Sequence, residues 1–183
     1  AMTIWTREKT KSLCVSTKRL CAAFWASSMK CFVYAARGVW RTVCTERNMR
    51  IHLAAAFYVV LAGFICRITA LQWCTVLLCI AAVTALECLN TAVEAVCDAV
   101  TAEYSAHIER AKDAAAGAVL CAAALSTVTG GIIFFNAACM QCVVEFIRKY
   151  PLGAAAIVLT VPLWIKFIRM RRTKVCQKSK KMR

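Results

Sequence analysis

Glu87, Asn90, Glu94 and Asp98 follow one another at intervals of three, four and four residues. On a helix turning about 100° per residue they share an arc of about 80°. Leu89, Ala92, Val93, Val96 and Val100 fill most of the remaining surface. A stripe of carboxylates on an otherwise apolar helix can accept a proton, relay charge, or hold a divalent cation through hard oxygen ligands. The segment after the stripe is expected to be a loop that returns Arg110, Lys112 and Asp113 to the level of Glu94. Cation ligands and anion-binding groups then meet at one boundary, which is the combination required by a polyphosphate carrying magnesium. Glu46, in the hydrophilic TERNMR segment, is expected to reach the same face as a second metal ligand.

The elements that must position these residues are apolar. The chain has 183 residues, of which 61% are hydrophobic, with two prolines and six glycines; its mean hydropathy is +0.63. A soluble domain this apolar would aggregate. Ile51 to Cys66, Trp73 to Leu86 continuing through the acidic stripe, Ala114 to Val144, and Pro151 to Ile165 are free of charge or nearly so. These runs are too long for strands and lack period-two alternation, and four segments could not close a membrane sheet. The expected fold class is therefore an all-α integral membrane protein with three core transmembrane helices and a fourth. With Trp73 at one interface, Glu87 lies roughly 21 Å along its helix, just inside a hydrocarbon layer about 30 Å thick, and Glu94 reaches water.

The net charge of +15 raises the question of nucleic acid. The location of the basic residues answers it. Ten of the 24 Lys and Arg fall in residues 1–50, two at Arg110 and Lys112, and nine from Lys166 onward, leaving Arg67, Arg148 and Lys149. Four crossings from a cytoplasmic N-terminus put 21 of them inside and three outside, as the positive-inside rule prefers. The basic ends are then expected to meet anionic headgroups rather than nucleic acid, for which no binding motif is present. No secretory signal peptide is expected, because the longest apolar run in this region, Cys21 to Ala26, falls short of an h-region. Leu20, Phe24, Cys31 and Ala35 instead recur at helical spacing among basic residues, the pattern of an amphipathic surface helix.

The 13 cysteines are scattered along the spans and imply no disulfide framework. Cys139 and Cys142 have CxxC spacing without the second pair that zinc requires. His107 is expected to be exposed in a polar loop and His52 to be interfacial.

No Walker A pattern, kinase Gly-rich loop, HRD or DFG occurs. ExxNTAxExxxD over Glu87 to Asp98, followed by AKDxAAGAV over Ala111 to Val119, nevertheless resembles the prokaryotic diacylglycerol kinase family, which includes undecaprenol kinases. The likeness extends through FVYAARG at Phe32 to Gly38, ExNxRIH at Glu46 to His52 and GGIIF at Gly130 to Phe134, covering roughly residues 25–135. The resemblance implies a small homotrimeric membrane enzyme with a surface helix and three spans per subunit, unrelated to soluble kinases. It implies that Glu87 is the general base toward a lipid hydroxyl, with Asn90 beside it, and that Glu46 and Glu94 hold the Mg2+ bound to ATP. It further implies that Lys112 and Asp113 stand at the nucleotide phosphates, and that Tyr34, Glu103, Tyr104 and Ser105 line the ATP site. Ser27 departs from the basic residue some members carry on the surface helix.

The resulting expectation is an ATP-dependent lipid kinase of the bacterial inner or plasma membrane, with its active site on the cytoplasmic side. Its acceptor is diacylglycerol, giving phosphatidic acid, or undecaprenol, giving undecaprenyl phosphate. The AAGAV run looks somewhat more like the undecaprenol branch. The expected organisation is a basic extension over 1–24, the kinase domain over 25–140, an additional transmembrane helix over 151–168 and a basic tail over 169–183. A non-enzymatic oligomer conducting protons or cations along the acidic face is the alternative, and a catalytically inactive scaffold is a third.

Overall fold

The computed structural model describes residues 29–100 and 105–169. All their regular structure is helical: α1 over 29–45, then α2 (Arg47–Cys66), α3 (Ala70–Val100), α4 (Ala106–Phe134), α5 (Ala137–Lys149) and α6 (Pro151–Arg169). The chain divides into two compact units, Ala1–Trp40 and Arg41–Arg183. In the described part of the first, Phe32, Val33, Tyr34 and Trp40 are exposed on a helix that also carries Lys30 and Arg37. Leu20 and Phe24, the start of the expected surface-helix pattern, lie outside the described residues, as do the basic extension and most of the basic tail.

In the second unit α2, α3, α4 and α6 are each long and apolar enough to cross a membrane, and the chain is a multi-pass membrane protein. Large apolar side chains such as Phe64, Leu78, Leu120, Ile132 and Leu159 point outward. In lipid this costs nothing, because association between spans does not depend on removing apolar surface from water. α3 and α4 run along one another, with α2 against α3. Ile68, Val76 and Ile133 form a buried cluster with Val59, Cys66, Trp73 and Ile80.

Local chemistry sets the turns. Arg50 is buried and its guanidinium donates to the carbonyls of Val43 and Cys44, at 3.3 and 3.1 Å. It thereby satisfies carbonyls at the end of a helix and holds the break between helices at Glu46. Arg67 closes α2 in the left-handed conformation, φ 52° and ψ 47°, its N–H donating to the Gly63 carbonyl. A Cβ on Gly63 would stand 2.8 Å from the Trp73 ring. The missing side chain therefore lets α2 and α3 close on each other just before the α2–α3 turn.

Two expectations need correction. The apolar run from Ala114 to Val144 is not one span: α4 ends at Phe134, and residues from Ala137 onward form α5. At 1.5 Å per residue such a run would be roughly 45 Å long, well beyond the hydrocarbon layer. Asn136 divides it by accepting from the Cys139 N–H at 2.9 Å as the N-cap of α5. The segment carrying Arg110, Lys112 and Asp113 is not a loop but the opening turns of α4, which Ser105 precedes in extended conformation and Glu109 supports in its first turn.

The fourth span packs on α2 and α5. Tyr58 and Thr160 share a hydrogen bond of 2.9 Å between their hydroxyls, and the Phe57 and Trp164 rings stand 5.6 Å apart.

Candidate functional site

α3 is a single uninterrupted helix from Ala70 to Val100, so its acidic stripe keeps the register expected of it. Glu87 is only 2% exposed, one of the two most completely buried large side chains among the described residues. A charged side chain at such depth costs a few kcal/mol on insertion scales and needs a polar partner. The partner is on another helix: His52 Nε2 of α2 lies 3.4 Å from Glu87 Oε1. His52, expected only to be interfacial, is thus also a neighbour of the deepest carboxylate. Sequence spacing gave no sign of this, because the contact depends on how α2 meets α3.

One turn further on, Asn90 is buried and its Nδ2 donates to Glu94 Oε1 at 3.0 Å. The Asn90 Oδ1 is buried with no hydrogen-bond partner. Glu46 is the N-cap residue of α2, and its side chain makes no capping bond. Glu46 thus precedes the helix that carries His52, and Glu87 and Glu94 share one face of α3, so carboxylates come from two elements packed on each other. Such an accumulation of like charge calls for a cation. No set of three or more His, Cys, Asp or Glu among the described residues forms a ready metal cage. Magnesium with a polyphosphate needs less, since it takes one or two carboxylates together with phosphate oxygens and water. Glu94, whose Oε1 accepts from Asn90, and Glu46, whose side chain makes no capping bond, are the candidates for that role.

At the water end of the stripe the Lys112 ammonium donates to Asp98 Oδ1 at 2.6 Å. Lys112 and Asp98 are 38% and 69% exposed. The pair ties α3 to α4 across their connection and holds an ammonium at the last carboxylate of the stripe. Asp98 is therefore more than a solvated helix-end residue, and its partner could have been found by asking which carboxylate of the stripe the returning helix must meet. Asp113 is exposed next to Lys112, and His107 is exposed as expected. Ser105 is the N-cap residue of α4 without a side-chain capping bond. Tyr34 belongs to the first unit, where Arg37 stands over its ring at 5.6 Å. Glu103 and Tyr104 lie outside the described residues.

Residues 33–134, more than half of the chain, match the family model described as prokaryotic diacylglycerol kinase. The chain belongs to that family. By this membership it is a lipid kinase of the diacylglycerol kinase and undecaprenol kinase type. Over 105 residues it is 43% identical to the undecaprenol kinase of Bacillus subtilis (strain 168), covering 57% of this chain and 85% of that protein. Over 103 residues it is 38% identical to the diacylglycerol kinase of Synechocystis sp. (strain ATCC 27184 / PCC 6803 / Kazusa), covering 56% of this chain and 59% of that protein. No solved structure matches significantly. The kinase family match contains Tyr34, Glu46, His52, Glu87, Asn90, Glu94, Asp98, Lys112 and Asp113, and ends where α4 ends.

Proposed function

We propose that the chain transfers the γ-phosphate of ATP, with magnesium, to the hydroxyl of a membrane lipid alcohol, and that undecaprenol is the first acceptor to test. The observation that carries this reading is the buried carboxylate of Glu87, 3.4 Å from His52 and followed along one face by Asn90, Glu94 and the Lys112–Asp98 pair. Phosphoryl transfer is mainly positioning and charge neutralisation. The stripe arranges these in order of depth, for one reactant dissolved in lipid and the other in water.

Glu87 accepts the proton of the lipid hydroxyl, and His52 holds the carboxylate in place while it does so. The unpartnered Asn90 Oδ1 is free to receive a hydrogen bond from the acceptor. Lys112, held by Asp98, binds phosphate oxygens, with Asp113 beside it. Bound magnesium would neutralise phosphate charge, and Glu46 and Glu94 are the residues to hold it. Tyr34, Glu103, Tyr104 and Ser105 remain proposed contacts to the nucleotide by family likeness. The family likeness also supports a homotrimer. The inner or plasma membrane, with this face of the protein toward the cytoplasm, agrees with the distribution of basic residues.

Undecaprenol is placed ahead of diacylglycerol because the relative bearing that name is matched over more of its own length and at higher identity. The test presents both alcohols in parallel to the full chain in mixed micelles with labelled ATP and titrated magnesium. Label in undecaprenol, with Glu46→Gln raising the magnesium needed for half-maximal transfer, is the expected result. Label confined to diacylglycerol would reverse the acceptor assignment. Unchanged magnesium dependence in Glu46→Gln would remove Glu46 as a ligand.

A further inference from the structure

The helix α5 lies wholly beyond the family match, between two spans, and carries three distinct stripes. Cys139, Cys142, Val143 and Phe146 recur at helical spacing on the face turned into the protein, with Cys139 buried and the other three half-buried. The Cys66 thiol of α2 donates to the Cys139 carbonyl at 3.8 Å, and the Phe146 ring stands 5.7 Å from that of Tyr150. A second stripe, Met140, Val144 and Ile147, is apolar and about half exposed. A third, Gln141, Glu145 and Arg148, is polar and exposed.

Position and length restrict what can cover the apolar stripe. Thirteen residues span roughly 20 Å, too little to cross a hydrocarbon layer about 30 Å thick. Two residues separate it from α4 and one from α6, both helices long and apolar enough to cross a membrane, which puts it at a membrane surface. From Lys112 to Phe134, α4 rises roughly 33 Å, which puts that surface at the end of the protein opposite the carboxylate site. Both basic residues of α5, Arg148 and Lys149, are in its last turn, against one carboxylate at Glu145. Lys149 stands over the ring of the exposed Tyr150, 5.5 Å from its centroid, an aromatic at the level where interfacial rings settle.

We propose that α5 is an in-plane membrane helix whose Met140–Val144–Ile147 stripe is sunk in the acyl chains of the leaflet opposite the active site, with Arg148 and Lys149 on its anionic headgroup phosphates. An apolar stripe beside a polar one with a basic end is the pattern of a helix lying in the interface. The arrangement fastens the fourth span to the three-span kinase core by a contact with lipid as well as with α2.

The test places the fluorescent residue acridonylalanine at Ile147 or at Glu145 in the full chain, reconstituted in phosphatidylcholine vesicles with or without phosphatidylglycerol. Val144→acridonylalanine repeats the reading should the Ile147 variant fail to fold. Brominated acyl chains are expected to quench the label at 147 and aqueous iodide the label at 145. Phosphatidylglycerol is expected to increase the acyl-chain quenching at 147, and Arg148→Gln with Lys149→Gln to abolish that increase. Iodide quenching at 147 equal to that at 145 would overturn the proposal by placing the whole helix in water. A label at 147 reached by neither quencher would overturn it by placing a second protein surface over the stripe. An increase with phosphatidylglycerol that survives in the double variant would remove the headgroup contact.

Discussion

His52 Nε2 lies 3.4 Å from Glu87 Oε1, joining the entrance of α2 to the deepest carboxylate of the α3 stripe. Removing the ring leaves a buried carboxylate without its neighbour on the other helix, free to leave the orientation in which it faces the acceptor. His52→Ala is expected to lower kcat about tenfold with little change in KM for ATP, and His52→Gln, which retains a donor, to recover part of the loss. Steady-state kinetics on the two variants check this. An equal rise in KM for ATP would place His52 at the nucleotide instead.

The Lys112–Asp98 pair is exposed and 2.6 Å long. Exposed pairs contribute little to stability, so Lys112→Ala is expected to melt close to the wild type while losing most of its activity. Asp98→Asn, which frees the ammonium without removing it, should raise KM for ATP more than it lowers kcat. Thermal melts and kinetics on the same preparations separate the two effects. A conducting oligomer would tolerate Lys112→Ala with its function intact.

Gly63 stands where any Cβ would be 2.8 Å from the Trp73 ring. Gly63→Ala is expected to destabilise the α2–α3 contact by about 1–3 kcal/mol, the usual cost of overpacking. Trp73→Phe in the same chain should restore part of it. Denaturation in detergent reads both, and independent, additive effects would show that the two side chains do not meet.

Arg67 holds a left-handed conformation, at φ 52°, that costs a residue with a side chain about 1–2 kcal/mol. Arg67→Gly is expected to stabilise the chain by up to about 1 kcal/mol, because the relief is offset by the extra freedom glycine has when unfolded. A lower melting temperature would indicate that the Arg67 side chain makes a contact that outweighs the strain.

The membrane architecture was legible in the sequence because long uncharged runs in water have few other outcomes, and the spans around α2, α3 and α6 emerge close to where they were expected. The third was misjudged because hydropathy does not register one asparagine capping a new helix at Asn136. The helical character of the segment around Lys112 was missed because its charges read as a loop. In the site, helical period alone placed Glu87, Asn90 and Glu94 on one face. Asp98 stood on that face too, without its Lys112 partner, and His52 escaped because it acts from another helix; single-sequence spacing does not by itself say which side chains of two helices meet.

The most direct test follows labelled γ-phosphate from ATP into undecaprenol and diacylglycerol, with magnesium, for the wild type and for Glu87→Gln at equal amounts of folded protein. The wild type is expected to label a lipid product and the variant to lose about a hundredfold or more, the scale of a general base. Transfer by Glu87→Gln at the wild-type rate would contradict the role given to the buried carboxylate. No transfer to either lipid by the folded wild-type chain would contradict both proposed acceptors.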